Sequence, residues 1–188
     1  HHNATRHAAG PRRELGIRTL FNALGPLTNP AGAPLQLVGL FEQAWVEKVA
    51  VVLSRLGTRR ALVVHAADGL DEISIGAPTT IAELRDGVIT HYEFEPSSLG
   101  IPRTPTSALR VANALESLAV IRRVFAGERG PAREIVALNA GAALYVCELC
   151  PSLREGYARA GELIDSGAAR ERFEHCIQYS QALETLPP

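Results

Sequence analysis

Residues 35 to 66 constrain the fold more than any other part of this chain. An apolar run, LQLVGLF (Leu35 to Phe41), leads into EQAWVEKVAVVLSRLG (Glu42 to Gly57), and a second apolar run, RRALVVHA (Arg59 to Ala66), follows. Each apolar run reads as a buried strand. Between them Trp45, Val49, Val52, Leu53 and Leu56 recur at helical spacing, and Gly57 supplies a stop. A strand, a crossover of helical length and a strand form a βαβ unit, so the two strands are expected to run parallel. This places the chain in the α/β class.

The rest of the chain fits round that unit. DEISIG and TTIAELRDGVITHYEFEP read as short strands, with a hairpin between Thr80 and Phe94 turning at Asp86-Gly87. Before the unit, Pro11 to Leu24 reads as helical, and GPLTNPAGAP (Gly25 to Pro34) is a loop punctuated by proline and glycine. After the hairpin come a loop from Ser97 to Ser107 and helices over Ala108–Ala126, from Pro131 to about Leu149, over Ser152–Ser166, and from Ala168 to about Leu183. The order is strands first, then a helical layer.

Composition excludes more than it selects. The 188 residues carry a net charge of -1, so no global field draws the chain to nucleic acid or an acidic membrane. Aromatic residues are 5%, too few for a base-stacking platform. No apolar run is long enough to cross a bilayer. Three cysteines, an odd and low count, point to reduced thiols and a cytoplasmic setting. Cys147 and Cys150 have CxxC spacing, but no second pair accompanies them, so helix packing is favoured over metal or redox chemistry. There is no methionine, from which we expect that a segment upstream of His1 is missing.

Three stretches could carry chemistry. Arg12 and Arg13 stand at the start of a helical run, where the helix dipole does not favour cations. They are either a solvated face or a fork for a carboxylate or phosphate. Asp71 and Glu72, in DGLDEIS, follow a strand at the sheet edge where α/β proteins bind ligands. They are either a polar turn or, since adjacent carboxylates repel unless a cation intervenes, a Mg²⁺-phosphate site. GPAREIVALNAGAALY (Gly130 to Tyr145) is a small-residue helix whose Asn139 reads as a hydrogen-bonded packing residue. Walker-type and dinucleotide glycine loops are lacking, as are GxSxG and HExxH.

Taken together and in this order, RRELGIRTLFNALGPLTNPAGAP, VVHAADGLDEIS and GPAREIVALNAGAALY resemble the C-terminal part of the anthranilate phosphoribosyltransferases. The resemblance implies a two-domain fold of the nucleoside-phosphorylase and phosphoribosyltransferase type. Residues 1–31 would be a helical segment of the small domain with the anthranilate channel. Residues 32–188 would be the large α/β domain, a mixed sheet with helices packed around it. The implied reaction moves a phosphoribosyl group from phosphoribosyl pyrophosphate to the amine of anthranilate, with Mg²⁺, in tryptophan biosynthesis. By position, Arg12 matches the arginine that holds the anthranilate carboxylate, and His2 matches a histidine of the same channel. Gly25 and Pro26 match the loop against the aromatic ring, and Asp71 and Glu72 match the metal pair. No group is assigned to catalysis beyond substrate positioning.

The family's GTGGD loop and its Lys-His-Gly-Asn segment have no counterpart here, so this piece alone is expected to be inactive. His2-Asn3-Ala4 replaces the usual His-Pro-Ala, and Gly10-Pro11-Arg12 replaces Pro-Val-Arg. The family is usually a homodimer through its helical domain. No nucleic acid or membrane partner is implied. Two other readings stand beside this one: a pyrimidine nucleoside phosphorylase-like enzyme, and a non-catalytic relative that binds nucleic acid or another protein.

Overall fold

The structure, a computed structural model, describes Glu14 and residues 20–184. His2, Arg12, Arg13 and most of the first expected helix lie outside the described residues. The chain then runs α1 (Leu20–Leu27), β1 (Leu35–Gly39), α2 (Val46–Arg55), β2 (Arg60–Ala66), β3 (Thr79–Arg85) and β4 (Val88–Phe94). Four helices follow: α3 (Ala114–Phe125), α4 (Pro131–Val146), α5 (Leu153–Asp165) and α6 (Ala168–Glu184).

The four strands form one sheet in the order β1-β2-β3-β4. β1 pairs parallel with β2, Leu35 opposite Arg60 and Gly39 opposite Val64, as the βαβ reading requires. β2 and β3 are antiparallel, and β3 turns into β4 through Asp86 and Gly87, both at positive φ (48° and 83°). Two successive left-handed residues make the tight turn that matches strand twist.

The period-two alternation of β2 divides the core. Ala61 and Val63, with Ala82 and Leu84 of β3, meet Val46, Val49, Ala50 and Leu53 of α2 on one face. Leu62 and Val64, with Ile81, meet Leu138, Ala142 and Val146 of α4 on the other. β2 is therefore covered on both sides, and this explains its unbroken apolar text. The outer face of β4 is largely exposed.

α4 and α5 touch backbone to backbone. A Cβ on Gly156 would stand 2.2 Å from the Gly141 carbonyl oxygen, and one on Gly141 would stand 2.4 Å from the Tyr157 nitrogen. No residue with a side chain fits at either crossing point. At the far end of this contact Arg133, buried, donates through Nη2 to both carboxylate oxygens of Asp165 at 2.9 Å. That pairing holds the Asp165 carboxyl below its ordinary range.

Several boundaries differ from the sequence reading. The loop expected from Gly25 begins at Thr28, because Gly25 and Pro26 complete the last turn of α1. DEISIG forms no strand; its backbone bonds to side chains instead. The helix expected over Ala108–Ala126 is a single 3₁₀ turn (Thr106–Leu109), an extended link, and α3. Asn113 starts α3 by accepting from the Glu116 N–H at 3.0 Å, while Glu116 accepts from the Ala112 N–H at 2.8 Å. This reciprocal cap fixes the helix start there. α4 stops at Val146, three residues before the expected end, with Glu148 at φ 60°. Val52 on α2 and Leu56 just past its end turn outward, because the core face is Val46, Val49, Ala50 and Leu53.

Candidate functional site

The Asp71–Glu72 segment lies in the connection from β2 to β3, past the C-terminal end of β2. The connection is shaped by its own side chains. Asp68 Oδ1 accepts from the Leu70 N–H at 3.3 Å, and Asp68 Oδ2 accepts from the Ser74 hydroxyl at 2.7 Å. The Ser74 oxygen in turn accepts from the Gly76 N–H at 2.9 Å, and Ser74 N–H donates to Thr79 Oγ1 at 3.1 Å. Ala66 N–H donates to the Leu70 carbonyl at 3.0 Å. The result is a loop without regular structure whose backbone groups nonetheless find partners.

Three external elements bear on this loop. β1 ends at Gly39, where an added Cβ would lie 1.5 Å from the Asp71 carbonyl oxygen. Only a residue without a side chain lets the loop cross the strand end this closely. From the other face of the sheet, Asn139 on α4 accepts from the Ile73 N–H through Oδ1 at 2.9 Å. It donates through Nδ2 to the Ile73 carbonyl at 2.9 Å and to the Ile135 carbonyl at 3.0 Å. The third contact is Thr104 N–H to the Ile75 carbonyl at 3.1 Å. An open cavity of about 310 Å³, lined by Asp68, Gly69, Leu70, Thr106, Leu109 and Arg110, adjoins the loop.

Asp71 and Glu72 themselves are exposed. Among the described residues neither carboxylate has an ion-pair or side-chain hydrogen-bond partner. The Glu72 carboxyl is raised above its ordinary range by partial burial and then by the charge of Asp71. A cation between the two would relieve that repulsion, so this donor set fits a hard divalent ion. Among the described residues no three His, Cys, Asp or Glu side chains converge on one point. Mg²⁺ takes few carboxylates and completes its shell with water and phosphate oxygens, so two carboxylates are a donor set compatible with it.

Gly25 and Pro26 are placed elsewhere. Pro26 lines a cavity of about 190 Å³ with Gln36, Leu53 and Thr58, beside the start of β1. Asp71 instead meets the end of β1, at Gly39. Arg12 and His2 lie outside the described residues. Sequence reasoning missed Gly39, Asp68 and Ser74, and saw Asn139 only as packing. The Asp68-Gly69 pair is a turn signal for the loop; nothing local marks Gly39.

Cys147 is exposed and Cys150 is buried, both unpaired, just beyond α4 rather than on it. No helix among the described residues is long and apolar enough to cross a membrane.

Comparison with known proteins places this geometry. The description "Glycosyl transferase family, a/b domain" matches residues 1–170. The chain is similar to the anthranilate phosphoribosyltransferase of Thioalkalivibrio sulfidiphilus, 57% identical over 96% of this chain and 53% of that protein. Its fold is similar to that of the anthranilate phosphoribosyltransferase of Thermus thermophilus (TM-score 0.84, 43% identity), covering 93% of this chain and 51% of that one. It also resembles a variant of the Saccharomyces cerevisiae enzyme with Mg bound (TM-score 0.83, 25% identity), over 93% and 51% of the two chains. The chain spans about half the length of the curated relatives it matches.

Proposed function

Since the chain belongs to the glycosyl transferase family, matching its α/β domain over residues 1–170, we propose that it is about half of an anthranilate phosphoribosyltransferase. The reaction is transfer of phosphoribosyl from phosphoribosyl pyrophosphate to anthranilate, giving N-(5-phosphoribosyl)anthranilate and pyrophosphate. The observation that carries this reading is the exposed Asp71–Glu72 carboxylate pair, without an ion-pair partner among the described residues, held on a side-chain-bonded loop at the C-terminal end of β2. The likeness to anthranilate phosphoribosyltransferases over 96% of the chain supports the choice of substrates.

Asp71 and Glu72 would hold Mg²⁺, and the ion, when bound, neutralises charge on the departing pyrophosphate. The chain's own contribution is positional. The Asp68–Ser74 bond and the Ile73–Asn139 bonds hold the backbone that carries both carboxylates, which limits the reorganisation needed when a ligand binds. Arg12 would clamp the anthranilate carboxylate in a fork, so that the amine faces the ribosyl carbon; His2, Gly25 and Pro26 would line the acceptor channel. On this reading residues 1–31 belong to a small helical domain and residues 32–188 to the α/β domain, and dimers form through the helical one. A cytoplasmic setting, supported by the free cysteines, is part of the same reading.

The test is steady-state kinetics in a polypeptide completed with the family's donor-binding half. Asp71→Asn with Glu72→Gln is expected to abolish Mg²⁺-dependent turnover. Arg12→Ala is expected to raise KM for anthranilate well beyond any change for phosphoribosyl pyrophosphate. Unchanged Mg²⁺ dependence in the first, or the reverse KM pattern in the second, refutes the corresponding assignment.

A further inference from the structure

We propose that Asn139 is a positioning residue for the Asp71–Glu72 pair, the side chain that ties the backbone beside Glu72 to α4, and not simply a packing amide of that helix. This rests on the metal reading given above. The bonds among Asp68, Ser74, Gly76 and Thr79 set the loop's shape, but all of them are internal to the β2–β3 connection and its flanking strand. They tie the loop to β3 at Thr79, and Thr104 holds Ile75 from outside, but none of them reaches the residue next to Glu72. Among the described residues, Asn139 is the side chain from outside that connection that bonds the backbone next to Glu72.

The bond is two-sided. The Asn139 amide takes the Ile73 N–H and gives to the Ile73 carbonyl, both at 2.9 Å, as a neighbouring strand would. Its second amide hydrogen reaches the Ile135 carbonyl one turn back on α4, which fixes the orientation of the amide plane. The Ile73 side chain is fully buried in the cluster that contains Leu138 and Ala142, so backbone and side chain are anchored to the same helix. Glu72 is adjacent to this anchor, one Cα–Cα step of ~3.8 Å away. Outer groups that orient metal-holding side chains commonly matter ten- to a hundredfold in affinity. An apolar residue of similar size would fill the space but would leave both Ile73 groups unbonded.

The experiment uses the 188-residue chain, with Mn²⁺ as the probe, read by water-proton relaxation, and amide hydrogen exchange at Ile73 as a second readout. Asn139→Ala is expected to weaken Mn²⁺ binding about tenfold or more and to accelerate Ile73 exchange. Val146→Ala, a truncation in the same core cluster, is expected to leave Mn²⁺ binding unchanged. If Asn139→Ala does not fold, Asn139→Gln, which keeps the amide but displaces it by one methylene, is judged by the same measure. Mn²⁺ affinity within twofold of wild type in the folded Asn139 variant overturns the proposal while leaving the metal reading intact. No Mn²⁺ uptake by the wild-type chain, or wild-type affinity in the Asp71→Asn, Glu72→Gln double variant, overturns the metal reading and the role of Asn139 with it.

Discussion

Replacing Gly39 with alanine sets two physical effects against each other. Gly39 does not occupy the left-handed region, so alanine can adopt its backbone conformation. Loss of unfolded-state freedom alone should then stabilise the protein by about 0.4–1 kcal/mol. The structure predicts the opposite sign. The new Cβ would lie 1.5 Å from the Asp71 carbonyl oxygen and 2.5 Å from its carbon, against an ordinary contact that begins near 3.4 Å. The Asp71 peptide must withdraw by about 1.9 Å. Two residues on, the Ile73–Asn139 bonds at 2.9 Å do not survive a displacement of that size. Losing them removes ~0.5–1.5 kcal/mol each, and forcing an atom into occupied space adds ~1–3 kcal/mol. With the unfolded-state gain set against these losses, the net expectation is destabilisation by about 1–5.5 kcal/mol, a sizeable share of the roughly 5–15 kcal/mol typical of a domain. Urea denaturation followed by circular dichroism measures it as a lower midpoint at unchanged slope. A midpoint equal to or above that of the wild type would show that the loop yields freely, and the account of a clamped Asp71–Glu72 pair would be wrong.

Two further outcomes test the helical layer. Gly156→Ala places a Cβ 2.2 Å from the Gly141 carbonyl oxygen and should lower Tm by about 2–10 °C, while Gly161→Ala meets only the side-chain end of Arg133 at 3.4 Å and should not lower it; equal Tm values for the two variants would refute the close-crossing argument. The Tyr157 hydroxyl is pushed up to about 12 by burial, and then by its hydrogen bond to Glu134 and that residue's charge. Its folded value exceeds the unfolded ~10, so its contribution to stability is complete below pH ~10 and disappears as pH rises towards 12. The difference in tyrosinate absorbance between wild type and Tyr157→Phe should therefore have its midpoint near 12; a midpoint near 10 would contradict the assignment.

The sheet is readable in the sequence because its strands are short, apolar and bounded by turn residues. β2 is buried on both faces and reads as such, and Asp86-Gly87 announces the hairpin. The start of α3 is hidden because residues 108 to 112 have a helix-compatible composition, while the Asn113–Glu116 cap that sets the true start is a signal of two residues. The carboxylate pair is visible as chemistry, since like charges side by side need a reason. Its supports are not. Asn139 lies 66 residues from Ile73 in the chain, and no local pattern records such a pairing. Gly39 sits in a strand as an ordinary small residue, and only the crossing of a distant loop gives it a purpose.

α4 meets its neighbours at four separate heights: Arg133 with Asp165, Asn139 with Ile73, Gly141 with Gly156, and Tyr145 with Glu83, whose Oε1 accepts from the tyrosine hydroxyl at 2.7 Å. One residue inserted into an α-helix turns everything beyond it by ~100° and shifts it by ~1.5 Å. An insertion anywhere between Arg133 and Tyr145 would leave some of these contacts facing away from their partners, whichever end of the helix stayed in place. Between Leu109 and Ala112 the extended link makes, among the described residues, no side-chain hydrogen bond to another element, so a change in length there can be absorbed without disturbing the Asn113–Glu116 cap. Length variation in this chain should thus be tolerated before α3 and refused within α4, where the spacing of residues, as much as their identity, is what the fold depends on.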